Sequence, residues 1–139
     1  MTDAYCETQL IEKFKGLEGL TVTEDGRYPE VAFPNMNFER PDDGYWYELY
    51  FLPGQPVQVE LGTEGRNRWV GVLRVNVCTP KNSGIESAND RYELIAKHFR
   101  SGLYINGVRI IRTSRSSAIE DGDYYVLPVD ISFWADLDR

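Results

Sequence analysis

Two runs of strict alternation constrain this chain more than any other feature. From Trp69 to Val77, the residues Trp69, Leu73, Val75 and Val77 fall on one side around Gly71, with Val70, Val72, Arg74 and Asn76 on the other. From Tyr124 to Trp134, Tyr125, Leu127, Val129, Ile131 and Phe133 alternate with Tyr124, Asp130, Ser132 and Trp134. Successive side chains of a strand point to opposite faces, so a period of two predicts strands with one buried side. Strands of this kind need a sheet whose apolar face is covered, and helices are the available cover. Pro128 interrupts the second run and removes a backbone donor, which predicts a sheet edge or a bulge at that point.

The cover comes from two segments. Thr2 to Lys15 reads as a helix, since Cys6, Leu10, Ile11 and Phe14 recur at three-to-four spacing and Gly16 follows as a stop. Ser83-Gly84-Ile85-Glu86 has capping-box spacing, in which Ser and the Glu three residues on satisfy two backbone amides reciprocally. Behind it Ile85, Ala88, Tyr92, Ile95 or Ala96, and Phe99 form an apolar stripe, and Gly102 ends that helix.

Shorter strands are expected at Val31–Phe33, at Tyr45–Leu52 with aromatics on both sides, and at Val57–Leu61 as a half-buried strand. Asn106-Gly107 joins Leu103–Ile105 to Val108–Ile110 as a two-residue hairpin, because both turn positions need positive φ. Pro34-Asn35 and Pro41-Asp42-Asp43-Gly44 are turn chemistry, and Ser114 to Gly122 reads as a polar loop. The order is α-β-β-β-β-α-β-β-β. It predicts a single α+β domain over 1–139, a mostly antiparallel sheet with two helices packed on one face.

Composition narrows the function. With 42% hydrophobic and 27% charged residues the chain is globular in type, and its 139 residues suffice for one core. No apolar run approaches the ~18 residues of a membrane span, and Met1-Thr2-Asp3-Ala4-Tyr5 lacks the layout of a signal peptide. A soluble protein that stays where it is made is the expectation. The formal charge of −7 argues against an electrostatic nucleic-acid binder, which needs surplus Lys and Arg to displace counterions. Eleven Arg stand against four Lys, a bias toward planar bidentate pairing at interfaces.

Chemistry finds little purchase. His98 is the sole histidine and sits near the end of the second helix, where a partly exposed imidazole beside the negative helix end is ordinary. Cys6 and Cys78 read as two reduced thiols, too few for a zinc site or a disulfide framework. The acidic groups Asp42-Asp43, Glu120-Asp121-Gly122-Asp123 and Asp136-Leu137-Asp138 follow no metal-loop pattern and read as turns and a solvated tail. Gly62–Gly65 lacks the Gly-Lys-Ser/Thr of a phosphate loop. No catalytic residue, cofactor or metal is expected. Trp46, Tyr50, Trp69 and Trp134, with Arg66 and Arg68, are residue types enriched at protein interfaces. Alternatively, a sheet covered on one side simply buries both aromatic sets.

The run Leu61-Gly62-Thr63-Glu64-Gly65-Arg66-Asn67-Arg68-Trp69-Val70-Gly71-Val72-Leu73-Arg74-Val75-Asn76-Val77 carries a resemblance, with Pro80, Gly84 and the amphipathic helix behind it. Together with Phe33-Pro34-Asn35 and Val129-Asp130-Ile131-Ser132-Phe133, it resembles the tail terminator-like family of tailed bacteriophages and prophages, akin to the minor tail protein U group. The resemblance implies a structural virion protein of the tail, assembled in the bacterial host cytoplasm. It implies a ring of this chain, usually of six, on the head-proximal end of the tail tube. There the ring stops tube-protein polymerisation and offers a surface to the head connector, while DNA passes through without specific binding.

A ring needs one surface to meet a different surface on the next copy. The sequence offers Arg66, Arg68 and Trp69 for one side, and Glu120, Asp121 and Asp123 or the outward face of the last strand for the other. An Arg–carboxylate pair across that joint would fix register. A head-closure or neck protein shares the acid balance and small α+β build. A hydrolase using His98 and a nucleic-acid module rank far behind.

Overall fold

The computed structural model describes residues 1–41 and 44–138. The Asp42-Asp43 pair of the expected turn lies outside the described residues. In chain order the elements are α1 (Asp3–Phe14), β1 (Val31–Ala32), β2 (Trp46–Pro53), β3 (Val57–Gln58), β4 (Arg66–Pro80), α2 (Glu86–His98), β5 (Tyr104–Ile105), β6 (Val108–Arg115), β7 (Ile119–Asp121) and β8 (Tyr124–Asp138). They form one sheet ordered β1-β2-β4-β8-β6-β5, with β3 beside β4 and β7 beside β8. Only β1 runs parallel to its neighbour among the described residues. The α+β architecture and its order stand as read, with β7 added inside the stretch expected to be a polar loop.

The alternation decides the packing. Tyr47 and Leu49 of β2, Leu73, Val75 and Val77 of β4, and Val129, Ile131, Phe133 and Ala135 of β8 share one face and are all buried. Cys6, Leu10 and Phe14 of α1 and Ala88 and Ile95 of α2 close over that same face, so both helices lie on one side. Thr2 caps α1 by accepting the Ala4 amide at 3.3 Å. At the hairpin, Asn106 and Gly107 take φ of 46° and 97°, the left-handed pair that the short loop requires.

The helix-free face is covered at one end only. There Trp46, Cys78 and Val126 are buried beneath Phe38 and Tyr124, and the Tyr124 hydroxyl donates to the Pro41 carbonyl at 3.2 Å. The two aromatic sets of β2 thus divide: Trp46 and Tyr47 are both 1% exposed, whereas Tyr50 stays 48% exposed.

Three expectations need correction. Pro128 lies in β8, a central strand, opposite Asn76 of β4. Its carbonyl accepts from the Ser116 amide on the β6–β7 side, and the N–H and C=O of one strand residue point the same way. The missing donor therefore faces 116–118, where the ladder breaks between β6 and β7. Ser83 does not cap α2, because its hydroxyl donates to the Pro80 carbonyl at 2.6 Å and Ile85 takes the cap position without a side-chain bond. Val57–Leu61 is not half-buried: β3 is two residues long, and Val57, Val59 and Leu61 are 56%, 38% and 92% exposed. The β3–β4 hairpin extends past the end of β2, and these side chains stay in solvent.

Gly71 marks the tightest contact of the sheet. A Cβ there would meet the Leu52 carbonyl oxygen at 2.8 Å and the Phe133 ring at 3.0 Å, and that ring is stacked on Phe51 at 5.7 Å. Backbone and stacked rings yield poorly. Gly71→Ala is expected to destabilise the fold by about 2 kcal/mol, lowering the thermal midpoint by about 6 °C. A midpoint unchanged by calorimetry would show that the sheet tolerates a Cβ at this crossing.

Candidate functional site

The helix-free face between the two ends of the long strands is where polar chemistry collects. β4 and β8 pair without a bulge from Arg66 opposite Asp138 to Pro80 opposite Tyr124. In that register Arg68 stands directly opposite Asp136 and Arg74 opposite Asp130. Both pairs are bidentate. Arg68 donates from Nε and Nη2 at 2.9 and 3.1 Å, and Arg74 from Nε and Nη2 at 2.7 and 3.1 Å. The Arg68 hydrogen bonds hold the Asp136 carboxyl below the usual carboxylate range. Beside them Trp134 lies under two cations, with the Arg68 guanidinium 4.3 Å and that of Arg109 5.8 Å from its rings. Planar Arg suits both contacts better than Lys.

The residues singled out in the sequence are distributed as follows. Arg66 bonds Glu60 across the β3–β4 hairpin, and Arg68 is held by Asp136. Trp69 points to the opposite, helix-covered face, packed on the core, and its indole Nε1 is buried without a hydrogen-bond partner among the described residues. Glu120 and Asp121 lie on β7 and Asp123 just beyond, all exposed, with Lys81 3.6 Å from Glu120. The two groups occupy opposite ends of the β4–β8 pair, on the order of 45 Å apart at the rise of a strand. They also flank opposite sides of the sheet, since β3 continues the β2 side and β7 the β6 side. Within one copy they never meet.

Sequence reasoning missed the partners Asp130 and Asp136, assigning the latter to a solvated tail. A signal was available: Arg68 and Arg74 are spaced as Asp130 and Asp136 are, at matching parity on the two longest alternating runs. Opposite charges so arranged are in line only in one antiparallel register.

Residues 15–133 match the family described as phage tail terminator protein. The chain belongs to that family. It is a structural component of the phage tail, in a family that is not one of enzymes. No curated protein matches the chain. Seven chains of solved structures do. One superposes with a TM-score of 0.72 at 18% identity, covering 99% of this chain and 97% of its own, a likeness of fold.

The remaining reactive groups of this tail terminator are structural. Burial pushes the Cys6 thiol up to about 11 and the Cys78 thiol up to about 12, so both stay protonated and un-nucleophilic. No cluster of His, Cys, Asp and Glu suited to a metal ion occurs among the described residues, and none of the terminator's helices there is long and apolar enough to cross a membrane. His98, half-buried at the end of α2, donates from Nε2 to the Lys13 carbonyl at 2.6 Å. That carbonyl also accepts from the Gly16 amide at 3.1 Å, and the imidazole thereby ties the two helices together.

Two measurements check these contacts. Arg74 and Asp130 are 39% and 22% exposed, so solvent screens the pair; a double-mutant cycle with Arg74→Ala and Asp130→Ala should give about 1 kcal/mol of coupling, shrinking in high salt. Zero coupling at low salt would make the pair decorative.

Desolvation, aided by the Lys13 charge, lowers the His98 pKa below 6.5. The unfolded chain then binds the proton more readily, so stability is full above that value and falls as pH drops through the folded pKa. The thermal midpoint should fall between about pH 7 and about pH 5, and less so in His98→Gln. Equal slopes in the two proteins would remove His98 as the cause.

Proposed function

We propose that this chain works as a ring of identical copies, six in number, seated on the head-proximal end of the tail tube. The ring stops addition of tube protein and presents a surface to the head connector. Family membership sets the setting, and the observation that carries the ring is the inequality of the sheet's two flanks. One flank carries β3 and the hairpin, with Leu52, Val57, Val59 and Leu61 exposed and Arg66 and Arg68 beside them. The other carries β7, with Glu120, Asp121 and Asp123 exposed. Like flanks placed together would set carboxylates on carboxylates. Unlike flanks placed together give a heterologous joint, which closes into a ring when the rotation is right.

Each joint brings the β3–β4 flank of one copy, with Arg66, Arg68 and Trp69, to the β7 flank of the next, with Glu120, Asp121 and Asp123, and the two groups take opposite ends of that joint. At −7 per copy the annulus is acidic. It repels phosphate, so DNA slides through it rather than sticking. The joint works by shape and calls on no bond-making chemistry. Assembly takes place in the host cytoplasm before the tail meets the head.

The experiment is deletion of the gene followed by electron microscopy of headless tails. Runaway tube lengths are expected, and uniform normal lengths would overturn the reading. Light scattering of the purified chain with tube protein should give one discrete multimer.

A further inference from the structure

We propose that neighbouring copies join through the sheet itself, the open edge of β2 in one copy pairing with the open edge of β6 in the next as antiparallel strands. The proposal rests on the ring reading and adds which backbone closes the ring.

The long β4–β8 pair serves as a ruler. β1 covers β2 only at Tyr47 and Glu48, in line with Val77 and Asn76. Leu49 to Leu52, in line with Val75 to Val72, have no strand outside them. On the far flank β5 covers β6 at Val108 and Arg109, the latter in line with Trp134 and hence with Val70. Arg112 to Arg115 have no strand outside them; they are in line with Ser132 to Val129, and hence with Val72 to Val75. The two open edges occupy the same rows of the sheet.

They also run in opposite directions, because each adjacent pair from β2 through β4 and β8 to β6 is antiparallel. Moving one copy sideways, with no shift along the strands, sets Leu49 against Arg115, Tyr50 against Ser114, Phe51 against Thr113 and Leu52 against Arg112.

The parts that project beyond these edges match too. β1 projects at the rows of Asn76 and Val77, where the facing flank has its break between Arg115 and Ile119. β5 projects at the rows of Trp69 and Val70, where the β2 flank breaks between Pro53 and Val57. Each projection falls opposite an interruption.

Charge agrees with shape. The groove outside β2 is lined by Glu7 and Glu48 together with Phe33 and Pro34, and by no cation. From Val108 to Ala118 the facing flank carries Arg109, Arg112 and Arg115 and no carboxylate. Tyr50, Leu52 and Ile111 are 48%, 41% and 41% exposed in the single copy, an apolar margin that pairing would cover. Unpaired strand edges are templates for further strands, and complementary charge selects which.

The test joins Tyr50→Cys and Ser114→Cys in one chain with a short bismaleimide in the presence of tube protein. Both positions are exposed, and the native thiols are buried. Denaturing gels should show a ladder rising past dimer to the ring number, with each single variant staying monomeric. In the unmodified chain, assembly should slow amide exchange in peptides spanning 49–52 and 112–115. Rings by light scattering with neither ladder nor protection overturn the edge pairing and leave the ring reading intact. A ladder stopping at dimer means a two-fold contact and overturns it as well. A chain that stays monomeric beside tube protein overturns both.

Discussion

Everything in this subunit hangs on one pairing, the fifteen-residue ladder of β4 and β8. Side chains in a strand alternate, so a slip of one residue would turn the buried row Leu73, Val75 and Val77 outward and bring Arg68, Arg74 and Asn76 under the helices. Burying an unpaired guanidinium costs several kcal/mol, which makes the native register the only affordable one. The two bidentate pairs add little stability at their exposure, yet they are satisfied in this register alone. They select the alignment; the apolar row supplies the energy. Gly71, where Leu52 and Phe133 close in from both sides, fixes where the neighbours sit along that ruler.

A sheet covered by two helices on one face leaves most of its other face and parts of both margins open. β1 and β5 are two residues each, and each covers only a short part of the margin it lies against. Proteins blunt such edges with charges, bulges, or helices and loops laid over them. Here they stay open over matching rows. His98 holds α1 to α2, and both thiols are inside the protein.

What was legible in the sequence follows from what repeats. Period-two alternation in 69–77 and 124–134, period 3.6 in α1 and α2, and Asn106-Gly107 are local patterns with local causes, and each formed as read. Misreadings fell where a neighbour decides. Pro128 sits mid-sheet because the break at 116–118 happens to lie on its donor side, a fact of tertiary pairing. Val57, Val59 and Leu61 alternate as a buried strand does, but nothing is above them to bury them. Ser83 prefers the Pro80 carbonyl to the helix it precedes. For the interaction residues, alternation placed Trp69 and Arg68 on opposite faces, but their joint selection came from adjacency in sequence, and adjacency in a strand means separation in space.

Weakness of the proposed edge-to-edge joint is a property that such an assembly requires. Four rows of antiparallel pairing make about four hydrogen bonds, each contributing about 1 kcal/mol net. Association of two free bodies costs at least as much, about 4 kcal/mol and upward. Two copies meeting in solution through this edge alone would therefore part again. In the proposed ring a copy would make the contact twice, once on each flank, and seating on a tube end would add further contacts along the rim. The same short edge that fails to hold a dimer would thus suffice once the circle closes. On that reading copies stay separate until a tube end collects them, whereas longer open edges would polymerise before any tube was finished.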